Sequence, residues 1–106
     1  MGYRHLALFR LHDTASPADV DRALDALRRL GLDTAEPIEW QVALSLDSRK
    51  GTVIVENALF ESRESYERWR ADAPHRAVAE MMSGIADWLV GDYVEPPTVS
   101  GPSRSR

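Results

Sequence analysis

The chain contains no cysteine. Disulfides, thiolate metal sites and cysteine nucleophiles are therefore excluded at the outset. Long apolar runs are also missing, so no segment reads as a membrane-spanning helix. The apolar stretch near the N-terminus is interrupted by Arg10 and His12, too soon for a secretory signal, and a cytoplasmic location is the expectation. Positive charge is scarce as well: 13 Lys and Arg stand against 17 Asp and Glu, a formal net charge of −4. A general nucleic-acid binder needs the opposite field, so neither nucleic acid nor a membrane is an expected partner. What is present is 106 residues, 43% hydrophobic and 28% charged. That suits one globular domain that folds without covalent staples.

Periodicity divides the chain into seven elements. Arg4 to Leu11 reads as a strand, with His5, Ala7, Phe9 and Leu11 on one face and Arg4, Leu6, Leu8 and Arg10 on the other. Ser16, Pro17 and Asp19 then open a helix as a capping box. Val20, Ala23, Leu24, Leu27 and Leu30 form its apolar stripe, and Gly31 is placed to end it in a left-handed conformation. Ile38 to Leu46 alternates strictly, with Ile38, Trp40, Val42, Leu44 and Leu46 on one face. A turn ending at Gly51 leads into a strand from Thr52 to Phe60, which makes a hairpin. Ser62 caps a second helix that carries Tyr66 and Trp69 inward, and Pro74 breaks it. A third helix is expected from His75 to Asp87, with Val78, Met81, Met82 and Ile85 inward, and a last strand from Trp88 to Val94.

The order βαββααβ predicts an α+β ferredoxin-like sandwich: a four-stranded antiparallel sheet with helices on one face. Residues 1–97 form the domain, and residues 98–106, rich in Ser, Pro, Gly and Arg, are expected to be a disordered tail that can be deleted with little effect on melting temperature. Leu6, Leu8, Val53 and Val55 make the second sheet face apolar too. That predicts a homodimer in which two sheets pack face to face as a dimeric α/β barrel.

Two histidines stand on core-facing stripes. His5 shares its face with Ala7 and Phe9, and His75 shares the stripe of Val78 and Met82. A pair of imidazoles facing the space between sheet and helices suits acid–base chemistry, because a neutral ring both accepts and donates a proton near pH 7. The alternative is that each is a satisfied core residue. Trp69, just ahead of the helix break, stands where a cavity mouth could form. The candidate site is thus His5 and His75 as catalytic residues, with Trp69, Ala7, Phe9, Leu24, Leu27, Val78 and Met82 lining a substrate pocket. No two histidines are spaced as helical metal ligands, so no metal is predicted. Lys50 to Val55 has the outline of an RNA-binding strand, but Thr52 and Ile54 stand where stacking aromatics are required.

Arg4-His5-Leu6-Ala7-Leu8-Phe9-Arg10, Ser16, Leu59-Phe60-Glu61-Ser62, Pro74-His75 and Asp92-Tyr93, in that order and spacing, resemble the stress-responsive α/β-barrel (Dabb) domain family over about residues 3 to 95. The resemblance implies the ferredoxin-like fold and sheet-to-sheet dimers. It extends to the plant olivetolic acid cyclase, an enzyme that closes a tetraketide thioester by an aldol reaction without a cofactor. Its catalytic histidines lie in segments that match His5 and His75, which implies His75 as general base and His5 as a polarising or orienting partner. The chain departs from the pattern at Asp72, where the family often has histidine, and at Trp69, where the cyclase has a tyrosine. The resemblance thus implies a cofactor-free enzyme acting by aldol or enolate chemistry on a small, largely apolar, carbonyl-bearing, polyketide-like compound, with Trp69 or His5 steadying the enolate oxygen. The alternatives are a non-catalytic, stress-associated small-molecule-binding module and a cofactor-free monooxygenase.

Overall fold

The computed structural model describes residues 2–97, so the expected tail, 98–106, lies outside the described residues. The elements are β1 (Tyr3–Leu11), α1 (Pro17–Leu32), β2 (Pro37–Leu44), β3 (Val53–Phe60), α2 (Arg63–Ala71), α3 (Ala73–Ser83) and β4 (Ala86–Val94). The strands lie in the order β2-β3-β1-β4, every neighbouring pair antiparallel. This is the ferredoxin-like α+β arrangement. Among the described residues no helix is long and apolar enough to cross a membrane.

Local chemistry explains the helix starts. Ser16 Oγ accepts the Asp19 N–H, and the Asp19 carboxylate accepts the Ser16 N–H, so two N-terminal donors of α1 are satisfied. At α2, Ser62 Oγ accepts the Ser65 N–H, a single cap bond without the reciprocal one. Asp72 ends α2 in an extended conformation just ahead of Ala73 and Pro74, so the chain turns there and α3 starts afresh.

Four local expectations are corrected. Gly31 is not a left-handed cap. The helix runs on to Leu32, and Gly51 alone among the described residues has positive φ, +99°. Gly31 is instead a contact residue, because a Cβ there would fall 2.0 Å from Trp40 Cγ. The Trp40 ring lies on the last turn of α1 and donates its N–H to the Leu27 carbonyl at 3.0 Å. β2 is shorter than its alternation suggests and irregular between Pro37 and Glu39. Trp40, Val42 and Leu44 pair with the inward residues Ala58, Glu56 and Ile54, but only Trp40 and Val42 are covered, and Ile38, Leu44 and Leu46 are exposed. Finally, α3 stops at Ser83 and β4 begins at Ala86. Gly84 and Ile85 donate back to Met81 and Met82, and the Ile85 carbonyl accepts from the His12 N–H, so the chain leaves the helix there to join β1.

The core lies between the helices and one sheet face. Ala7, Phe9, Leu11, Ile54, Ala58 and Phe60 meet Ala23, Leu27, Leu30, Tyr66, Trp69 and Met82. Helical cover thins over β4, whose Trp88 and Val90 share that face with Phe9 and Ala7 but are exposed. The other sheet face is apolar and bare. Leu8, Leu89 and Tyr93 are 50%, 63% and 45% exposed. Leu6, Val53 and Val55 on the same face are half-buried.

Candidate functional site

A cleft of about 850 Å³ opens between the uncovered part of the sheet and α2–α3. Its floor comes from β1 and β4, as Tyr3, His5, Ala7 and Phe9 alternate toward it opposite Asp92, Val90 and Trp88. Leu27, Val78 and Met82 form its apolar inner wall, and His75 lies on the α3 side. The structure therefore brings His5, His75, Ala7, Phe9, Leu27, Val78 and Met82 to one cavity. Two expected residues are not on its wall. Leu24 packs into the core beside Phe9 and Leu27. Trp69 is 1% exposed and donates its indole N–H to Thr34 Oγ1 at 3.2 Å, and neither residue lines the cleft. Its ring is a spacer: it meets His75 edge-on at 4.5 Å between centroids and His5 at 5.8 Å.

His5 is fixed on both sides. Nδ1 lies 2.7 Å from Asp92 Oδ1 and Nε2 lies 2.9 Å from Glu56 Oε2. The register explains why: Asp92 pairs with His5 across β4, and Glu56 faces inward from β3 between Ile54 and Ala58. The Tyr3 hydroxyl donates to Asp92 Oδ2 at 2.8 Å, which continues the chain to the cleft floor. Burial disfavours a charged imidazole, but hydrogen bonds and attraction from Glu56 and Asp92 outweigh it, so the His5 pKa is raised. A protonated His5 donates to both carboxylates and leaves no ring N–H for a substrate oxygen. Each ring nitrogen holds a different carboxylate, and among the described residues no group of three His, Asp or Glu side chains converges as a metal site.

His75 is the opposite case. Burial comes first and the positive neighbours His5 and Arg70 next, and together they lower its pKa, partly offset by a hydrogen bond to the Arg70 backbone. It is half-buried, and among the described residues no side chain hydrogen-bonds to it. A neutral imidazole on a cleft wall is a proton acceptor at neutral pH.

Sequence reasoning misses three groups here: Glu56, Asp92 and Tyr66. The Tyr66 ring lies 4.9 Å from both His5 and Tyr3, on the cleft wall. Burial, with Asp92 nearby, pushes its hydroxyl up to about 12; burial and the Asp92 hydrogen bond do the same for Tyr3. Both phenols are therefore donors at neutral pH. Glu56 leaves a signal in the sequence, a carboxylate on the otherwise apolar inward face of β3. Tyr66 leaves none beyond its place on the α2 stripe.

Several solved structures share this fold. A dimeric ferredoxin-like protein of unknown function from Thermobifida fusca is 23% identical, with 90% of this chain and 92% of that chain covered and a TM-score of 0.79. A hydroxynitrile lyase from Passiflora edulis is 18% identical, with 93% and 97% covered and a TM-score of 0.80. A cofactor-independent oxygenase from Streptomyces nogalater is 13% identical, with 94% and 98% covered and a TM-score of 0.73. No curated protein matches the chain by sequence. The family profile of the stress responsive A/B barrel domain matches residues 3–95, nearly the whole described chain, and the protein belongs to that family, Dabb.

Proposed function

We propose that the protein is a cofactor-free enzyme that removes a proton from carbon next to a carbonyl in a small, largely apolar substrate. The observation that carries this reading is the contrast between the two imidazoles of one cleft. His5 is clamped between two carboxylates and biased toward its charged form, whereas His75 meets no carboxylate, has only the Arg70 backbone as a hydrogen-bond partner, and is biased toward its neutral form. Environments that push two titratable groups apart suit acid–base work. His75 accepts the α-proton, and the electron pair moves onto the carbonyl oxygen as an enolate. The Tyr66 hydroxyl donates to that oxygen, the part the sequence assigns to Trp69 or His5. His5 positions the cleft floor and supplies positive charge near it. An aldol closure of a polyketide-like chain is one outcome of such an enolate. The hydroxynitrile lyase and the cofactor-independent oxygenase support the reading only by analogy, as catalysts built on this fold in other chains.

The catalytic test is α-proton exchange in deuterium oxide, followed by NMR over a panel of aryl and alkyl ketones and β-keto thioesters. Exchange above the buffer rate is expected, and His75→Gln should return it to that rate. Ligands that bind while both proteins exchange at the buffer rate would favour a non-catalytic binding module instead. A homodimer belongs to the same reading. The bare apolar sheet face, and a dimeric structure of the same fold, support sheet-to-sheet pairing.

A further inference from the structure

Ten arginines fall within the described residues, and eight of them have a partner. Arg4, Arg10, Arg22, Arg29, Arg49, Arg63 and Arg68 pair with carboxylates, and Arg28 donates to the Val42 carbonyl. Among the described residues Arg70 and Arg76 alone have neither a carboxylate nor a side-chain hydrogen bond. Both line the cleft, one on α2 and one on α3, on either side of His75 in the chain. The acids of the cleft are already engaged: Glu56 and Asp92 with His5, and Glu67 with Arg63. In a chain with a formal net charge of −4, two unpaired guanidinium groups beside one neutral base are a local excess of positive charge.

We propose that the cleft takes a substrate bearing an anionic group, a carboxylate or a phosphate, which docks on Arg70 and Arg76 and presents its carbon acid to His75. This rests on the cleft being a ligand site and adds the substrate's charge to that reading. Guanidinium groups suit such oxyanions because they donate two parallel N–H bonds. The apolar wall of Phe9, Val78 and Met82 takes the remainder of the molecule. Docking also changes the base, because Arg70 is among the charges that hold His75 in its neutral form. An anion on Arg70 offsets that field and makes His75 a stronger acceptor when the correct ligand is bound.

The test is calorimetric binding at pH 7.5 and low salt. The probes are benzoylpyruvate, its neutral methyl ester and phenyl phosphate, and the proteins are the intact chain, Arg70→Gln, Arg76→Gln, the double variant and His75→Gln. Benzoylpyruvate should bind about tenfold or more tightly than its ester, the size of one charge-assisted contact. Each single arginine variant should lose about three- to tenfold for the acid and almost nothing for the ester. Phenyl phosphate binding more tightly than benzoylpyruvate, with the same arginine dependence, would assign the anion as a phosphate; the reverse order would assign a carboxylate. Melting curves check that the exposed substitutions leave the fold intact. An ester that binds as well as the acid, a double variant that binds the acid unchanged, or no binding of either anion would overturn the proposal. His75→Gln separates the two readings. Arginine-dependent binding by this variant, with no proton exchange by the intact protein, would sink the catalysis and keep the anion site. Exchange on neutral ketones with no preference for the acid would do the reverse.

Discussion

The two histidines carry proton linkages of opposite sign. His5 has a raised pKa in the folded protein, so its stabilising contribution is complete below its unfolded value near 6.5 and is lost as pH rises through the folded value. His75 has a lowered pKa, so its contribution is complete above that same unfolded value and is lost as pH falls toward the folded one. Glu56→Gln removes one of the two charges that hold the His5 proton. It should cost about 1–3 kcal/mol, more at pH 6 than at pH 8, in urea unfolding across that range. His75→Gln should instead gain relative to the natural chain as pH falls below 6.5, while proton exchange drops by ~10²–10⁴. Equal losses at all pH values in both variants would show that neither ring titrates differently on folding. The positions of these two rings are legible in the sequence, because strand and helix periodicity put them on inward stripes. Their contrast is not, since it depends on Glu56 and Asp92 arriving from β3 and β4 across the sheet.

The elements differ in how much of their geometry is local. Capping chemistry fixes the start of α1, and Ser16→Ala should lower stability by about 1 kcal/mol in thermal or urea melts. The end of the same helix is set from a distance. Gly31 reads as a helix stop because the usual reason for glycine there is backbone freedom, whereas its actual constraint is the Trp40 ring on β2. Gly31→Ala therefore discriminates between the two reasons. At an exposed helical position alanine would stabilise by up to about 1 kcal/mol. Here it should destabilise by roughly 1–3 kcal/mol, because the ring must move off its hydrogen bond to Leu27. A stabilised variant would show that the ring gives way freely. β2 follows the same logic. Its alternation is a local signal, but the irregularity at Pro37–Glu39 and its edge position leave Ile38 and Leu44 exposed.

For the molecule as a whole, the fold is legible because the order of elements admits few arrangements, and apolar residues on both faces of β1 and β3 indicate cover on both sides. Light scattering should give about twice the 11.9 kDa chain mass. Leu8→Glu, which puts a charge on the bare face, should yield monomers or unfolded protein. A stable, well-folded monomer of the natural chain at micromolar concentration would end the dimer reading. One feature of β1 links that face to the cleft: His5 and Ala7 point into the cleft, while Leu6 and Leu8 point the other way. In the proposed dimer, the floor of the cleft and the contact with a second copy are thus a single layer of backbone. Such a wall is held flat from behind by whatever covers it. Dilution past the dissociation constant of the pair should then loosen ligand binding in each protomer, and ligand in turn should tighten the pair by the same factor. Ligand affinity would become a function of protein concentration, and a cell would set occupancy of the cleft by how much of the chain it makes.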